Sequence, residues 1–303
     1  MIEELKDVFD LATNATAFVN ELLKIKNTKN KSKQNDDGDY SKLASSGYYS
    51  KLASSGDYSK LASSGYSSQL ASSGDYSQLA SSGYSSKLAS SGDYSQLASS
   101  GYSSQLEVTG QWSIATAIGY KSIIKATKGS WITLAEYDNE CKPICVKSAQ
   151  IDGDILKDSC FYTLLNQKFT EVQIIDDMAT IIQRKKQNVI KGLSLSSLEP
   201  CFIYEKDGIY AHGETLKQAY RDWLFKTSDR DVSKYEDISP DDVYDLDFWI
   251  IAYRTITGAC SFGTNEFLET HKDKIKKQMT LREVLEVTEN QYGHNTFKEF
   301  FND

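Results

Sequence analysis

The chain has 303 residues and a net charge of −8, enough length for two or three domains and the wrong sign for nonspecific attachment to nucleic acid. No run of about 18 apolar residues occurs, so no membrane-spanning helix is expected; the opening Met1-Ile-Glu-Glu-Leu-Lys6 lacks the basic and apolar regions of a secretory signal, and a cytoplasmic protein is the expectation. Cys141, Cys145, Cys160, Cys201 and Cys260 are odd in number, which points to reduced thiols, and Cys141 and Cys145 with no nearby histidine do not match zinc-site spacing. No phosphate loop, dinucleotide fingerprint or Ser/His/Asp signature is present, and no metal or cofactor is expected.

Residues 1–26 read as an amphipathic helix. Ile2, Leu5, Phe9, Ala12, Val19 and Leu23 form one row at three-four spacing, and Val8, Leu11, Ala15, Phe18, Leu22 and Ile25 a second. So broad an apolar face needs cover, either from the repeat that follows or from other copies of the helix as a homo-oligomer. Residues 27–37 are polar and read as a linker.

From residue 38 to 129 the chain repeats every nine residues. Units of Asp-Tyr-Ser-Gln/Lys-Leu-Ala-Ser-Ser-Gly alternate with units that begin Tyr-Ser or Tyr-Tyr, and leucine returns at Leu43, Leu52, Leu61, Leu70, Leu79, Leu88, Leu97 and Leu106. A fixed short period means stacked units, each burying its apolar residue against the next copy. The expected fold is mixed β and α, built on a β-solenoid with two short strands per eighteen-residue coil. Ser41, Leu43 and Ser45 face inward, Tyr40, Lys42 and Ala44 outward, and Ser-Ser-Gly forms the turn, with glycine supplying positive φ. Identical side chains then stack in rows: Tyr40, Tyr58, Tyr76 and Tyr94 in one, Tyr48, Tyr66, Tyr84 and Tyr102 in another. Such rings either contact a partner or pack on one another. Carboxylates at alternate turns alone argue against a calcium roll, and leucines and tyrosines that never miss their positions argue against disorder.

From the unit 102–110 onward isoleucine and valine replace alanine and serine, as terminal repeats do. Residues 130–175 read as a β cap, with a hairpin turn at Asp152-Gly153 and another at Asn166-Gln167. Residues 176–199 read as a connector carrying a basic patch at Arg184, Lys185 and Lys186. Residues 200–303 read as an α-rich domain. Lys206-Asp207-Gly208 is a hairpin signal, Glu214 to Phe225 a helix, Ser239-Pro-Asp-Asp242 a capped helix start, Gly258 a helix C-cap, and Thr280-Leu-Arg-Glu283 a capping box.

Candidate site residues are few. Asp229, Asp231, Glu236, Asp237, Asp241, Asp242, Asp245 and Asp247 outnumber Arg230 and Lys234 in this acidic stretch, which suits a solvated loop or a basic partner surface; Asp241, Asp242 and Asp245 are its binding candidates. Arg254 either binds an anion or pairs with this stretch. Cys260, at a glycine-flanked turn, is the one nucleophile candidate, with His212 or His294 as base; a buried structural thiol is the competing reading and the preferred one.

Three segments carry a resemblance: Ala211-His-Gly-Glu-Thr-Leu-Lys-Gln-Ala219, Asp229-Arg-Asp-Val-Ser-Lys-Tyr235 and Tyr253-Arg-Thr-Ile-Thr-Gly-Ala-Cys-Ser-Phe-Gly263, joined by Gln291-Tyr-Gly-His-Asn-Thr-Phe297. They resemble a C-terminal module of uncharacterised proteins from phages, prophages and gut bacteria, in which similar modules follow repeat arrays. The Ser-Ser-Gly-Asp-Tyr-Ser-Gln-Leu-Ala unit is similar to repeats in phage-borne chains. The resemblance covers roughly 38–175 and 200–303 and implies a phage or mobile-element origin, with no established activity. The expected function is a non-enzymatic binding protein, an inhibitor of a host protein such as a CRISPR or restriction nuclease. A self-assembling structural protein is the alternative, and a thiol enzyme centred on Cys260 a further one.

Overall fold

The computed structural model describes residues 33–289 and 291–301, and the chain divides into two compact units between Val172 and Gln173. The expected N-terminal helix lies outside the described residues, as does the linker up to residue 32.

The repeat folds as a two-sheet β-solenoid of about six coils. One sheet stacks Lys33–Asp36, Lys51–Ser54, Gln69–Ser72, Lys87–Ser90, Gln105–Val108 and Ile123–Lys125 in parallel. The other stacks Lys42–Ser45, Lys60–Ser63, Gln78–Ser81, Gln96–Ser99, Ile114–Ala117 and Trp131–Tyr137. Residues eighteen apart are paired, Leu52 with Leu70 and Leu61 with Leu79. The eight repeat leucines from both sheets meet in one core, none more than 8% exposed.

Leucine alone does not fill that interior. At each corner from Ser45 to Ser104 two buried serines face each other, Ser45 with Ser50 at 2.6 Å and Ser54 with Ser59 at 2.7 Å, and Ser59 Oγ also donates to the Gly56 carbonyl at 2.6 Å. Hydroxyls bonded in this way are buried without orphaned polar atoms, and their small size keeps the coil flat.

The turns correct the expected role of glycine. Among the repeat glycines none from Gly38 to Gly119 has positive φ; on one edge the left-handed residue is the aromatic two positions later, Tyr40, Tyr58, Tyr76, Tyr94 and Trp112, with φ between 51° and 57°, and on the other Ser103 and Lys121 take the same conformation after Gly101 and Gly119. Glycine is required for clearance instead. A Cβ on Gly65 would lie 1.8 Å from the Gly47 carbonyl oxygen, and one on Gly74 2.1 Å from that of Gly56.

The solenoid is longer than the 38–129 of the sequence reading. Lys33-Gln-Asn-Asp36, expected as linker, is a strand, with Gln34 in the leucine position opposite Leu52 and its amide donating to the Ala44 carbonyl. At the other end Trp131–Tyr137 completes the last coil and then pairs antiparallel with Pro143–Gln150, while Ile123–Lys125 pairs antiparallel with Phe161–Leu165. The reversal of direction ends the stack. Asp152-Gly153 is not a hairpin turn: Asp152 Oδ1 accepts the backbone N–H groups of Asp154, Ile155 and Leu156 in a loop. Asn166-Gln167 does close a hairpin, between Phe161–Leu165 and Lys168–Ile175.

In the second unit the expected connector is two strands. Met178–Lys186 and Val189–Ser194 join Pro200–Lys206 and Ile209–Gly213 in an antiparallel meander that begins on the end of Lys168–Ile175. Helix α1 spans Leu216–Thr227, capped by Thr215. Helix α2 spans Leu246–Thr257 and begins after Asp245; Ser239-Pro-Asp-Asp242 forms a turn, followed by a short strand Val243–Asp245 paired with Gln278–Thr280. Gly258 caps α2 in the left-handed conformation, as expected. Helix α3 spans Ser261–Thr270, α4 Leu281–Val287 with the full Thr280/Glu283 capping box, and α5 His294–Phe300. Their core is Trp249, Tyr235 and Phe297, with the Trp249 indole N–H donating to the Met279 carbonyl at 2.8 Å. No described helix is long and apolar enough to cross a membrane.

Clearance and filling give separable predictions for the solenoid. Gly83→Ala, whose Cβ would sit 1.9 Å from the Gly65 oxygen, should lower the thermal midpoint sharply, while Ser82→Ala on the exposed side of the same turn leaves it nearly unchanged. Leu79→Ala should cost about 2–5 kcal/mol in denaturant unfolding.

Candidate functional site

The alternation of Gly-Asp-Tyr and Gly-Tyr-Ser turns places the two tyrosine rows on opposite edges of the flattened coil. On the first edge Tyr40, Tyr58, Tyr76 and Tyr94 stack with centroids 4.9–5.0 Å apart and planes within 8°, and Trp112 extends the row at 5.4 Å. These rings pack on one another and still face solvent: Tyr40 is 67% exposed, Trp112 56%, and the three between them 43–45%. The rings on this edge therefore pack on one another, and their edges stay exposed. The second row, Tyr48, Tyr66, Tyr84 and Tyr102, stacks at 4.7–5.0 Å but is half-buried beyond Tyr48. It closes through Tyr120 on Tyr137, whose hydroxyl donates to the Ile118 carbonyl. Burial pushes the Tyr102 phenol up to about 12.

The first edge carries a second row. Asp39, Asp57, Asp75 and Asp93 each accept, at 2.7–3.0 Å, the backbone N–H of the corresponding residue one coil on. The adjoining tyrosine N–H groups donate to backbone carbonyls of the next coil, Tyr58 to Asp75 and Tyr76 to Asp93. These bonds hold an aromatic residue in a left-handed conformation that would otherwise cost about 1–2 kcal/mol, and they fix each ring outward. The product is a rigid strip of aromatic ring edges beside carboxylates. The carboxylates were visible in the sequence; their role as rungs was not, because it depends on the register.

The other candidates serve local structure. Asp245 is the N-cap of α2 and accepts from the Phe248 N–H; Asp242 accepts from the Ser239 N–H; Asp241 pairs with Arg282 at 2.9 Å on the surface. Arg254 does not pair with the acidic stretch. Its partner is Asp222 at 2.9 Å, a buried carboxylate that also accepts the N–H and hydroxyl of Ser261 at the start of α3. Asp222 was missed because it sits on a helix whose sequence looks merely amphipathic. Glu136 was missed too: buried in the cap, it accepts the N–H groups of Asn166 and Gln167, each at 2.7 Å, and so holds a turn in which both residues have positive φ.

Cys260 and His212 do come together, but through the backbone. Cys260 Sγ accepts N–H bonds from Gly263 and from His212 and forms the N-cap of α3, and burial pushes its thiol up, away from the thiolate a nucleophile needs. The His212 ring is fully buried, stacks on Phe262, and has no hydrogen-bond partner at either nitrogen among the described residues. Burial, reinforced by the Lys226 charge, lowers it to about 4. His294, in the first turn of α5, hydrogen-bonds Thr288 at 3.2 Å. Cys260 lines an apolar cleft walled by Trp249, Tyr253, Phe267 and Tyr292. Among the described residues no group of three His, Cys, Asp or Glu side chains is placed to hold a metal.

His212 makes stability depend on pH in a definite direction. Its folded value near 4 lies below the unfolded 6.5, so the unfolded chain binds the proton first. The contribution is complete above about pH 6.5 and is lost as pH falls toward 4, by about 3 kcal/mol in all. Denaturant titrations from pH 7 to 4 should show this loss, and His212→Leu should flatten it.

No protein-family model, curated protein or solved structure matches this chain.

Proposed function

We propose that the chain is a non-enzymatic binding protein whose solenoid holds one aromatic and acidic edge rigid against a protein partner. The observation that supports this reading is the exposed row from Tyr40 to Trp112 beside four aspartates. Tyrosine and tryptophan dominate binding hot spots because they bring large contact area with few torsions to freeze. Here the torsions are already fixed by stacking, so little ordering entropy remains to oppose association. The adjacent carboxylates favour a basic partner surface, arginine above all, since a guanidinium pairs with an acid in two parallel hydrogen bonds while its aliphatic stem lies along the ring edges. The resemblance of the repeat and the C-terminal segments to phage and prophage proteins makes a host protein the expected partner, with inhibition of a CRISPR or restriction nuclease as the expected consequence. The raised thiol of Cys260 and its capping role weigh against the thiol-enzyme alternative.

Self-assembly is the second reading. It rests on the outer edges of Lys33–Asp36 and Lys42–Ser45, each of which pairs on one side only among the described residues.

Affinity purification from host-cell lysate, with mass spectrometry to identify what is retained, tests the first reading. Replacing Tyr58, Tyr76 and Tyr94 with serine should weaken a retained partner by about 30-fold or more, whereas Tyr→Phe at the same positions should largely preserve it. Equal retention by the serine variant, with circular dichroism unchanged, would remove the edge as the contact surface. Light scattering separates the second reading: a monomeric mass at all concentrations counts against self-assembly.

A further inference from the structure

The basic run Arg184-Lys185-Lys186 lies in an acidic chain and has no part in the solenoid. The meander shows what surrounds it. Arg184 pairs directly with Lys191, which pairs with Phe202; Lys186 pairs with Val189, which pairs with Tyr204. Directly opposed residues share a sheet face, as do alternate residues along a strand, so Arg184, Lys186, Lys191, Phe202, Tyr204 and Lys206 share one. The opposite face carries Ile190, Ile203 and His212, all buried.

Aromatic rings continue this face onto α1. The Tyr204 ring meets those of Tyr220 and Trp223 at 5.1 and 5.4 Å, and Lys206 Nζ lies 5.6 Å from the centre of the Trp223 ring. Tyr220 is 44% exposed. Arg184, Lys186 and Lys191 are exposed, and none has a carboxylate within ion-pair distance among the described residues. Lys185, whose strand position faces the other way, is the member of the run that pairs, with Glu205 at 3.8 Å. Two cations directly opposite each other, as Arg184 and Lys191 are, oppose folding and are relieved by an anion.

We propose that this face binds single-stranded nucleic acid. Three unpaired cations on neighbouring strands track a phosphate backbone, and the exposed ring of Tyr220, backed by Tyr204 and Trp223, offers a platform for an unpaired base. A duplex meets the cations but keeps its base faces hidden, so the rings select the single strand. The net charge of −8 confines such binding to this patch.

Fluorescence anisotropy on the full chain, with labelled oligothymidine and oligouridine of about 20 nucleotides, tests the proposal. Binding is expected at about 50 mM salt, weakening with a log–log slope of about −2 for three phosphate contacts. Arg184→Glu with Lys191→Glu should weaken it more than about tenfold and flatten the slope; Lys186→Gln, a milder change, should do so in part if the double variant does not fold. Tyr220→Ala should weaken binding about tenfold with the slope unchanged, the signature of a lost stack rather than a lost charge. No binding at about 50 mM salt would overturn the proposal. So would equal affinity for a duplex, for heparin or for phosphatidylserine vesicles together with no effect of Tyr220→Ala, since that pattern describes a bare cationic patch.

Discussion

Coil must lie on coil at an eighteen-residue offset, and nearly every feature of the first unit follows from that contact. It sets the backbone spacing near 4.8 Å, and the spacing leaves no room for a Cβ where glycine carbonyls pass beneath the next turn. The same offset brings Leu onto Leu, serine pairs onto serine pairs and ring onto ring. None of these contacts is strong alone. Because the central coils supply all of them in one register, a shift by a single residue would move the leucines outward and lose the whole set at once.

The first edge shows how such a lattice holds an unfavourable conformation. A left-handed tyrosine is uncommon in isolation, yet it recurs at Tyr40, Tyr58, Tyr76 and Tyr94. Each is held by its own N–H bond to the next coil and by the aspartate rung beside it. Outward display follows from a ring two residues after the glycine, where the backbone is left-handed; the opposite edge, built on Gly-Tyr-Ser, places its ring one residue earlier and half-buries it beyond Tyr48.

Legibility in the sequence followed repetition. The period, the two strands per coil, the inward leucines and both tyrosine rows could be read directly, as could the Thr280 capping box and the Gly258 cap, whose signals are local. The first coil was hidden because Gln34 replaces leucine, although Ser32-Lys33 before it and Gly38-Asp-Tyr40 after it keep the pattern. The strand Met178–Lys186 was hidden because three cations follow its apolar Ile181 and Ile182. The start of α2 was misplaced because Ser239-Pro-Asp-Asp242 and Asp245 both carry capping chemistry, and the choice between them is made by the pairing of Val243–Asp245 with Gln278–Thr280, which neither local signal contains. The interactions of Asp222 and Glu136 are tertiary and have no sequence period to betray them.

The sameness of the coils has a consequence for how the protein can change. Between the Gln34 coil and the Ile-rich end every rung is interchangeable, so gain or loss of one eighteen-residue unit alters neither terminus of the stack nor any corner within it. Each such event adds or removes one ring and one carboxylate from the exposed edge. The number of coils is thereby a ruler, setting the length of the strip in equal steps while the fold that carries it stays constant.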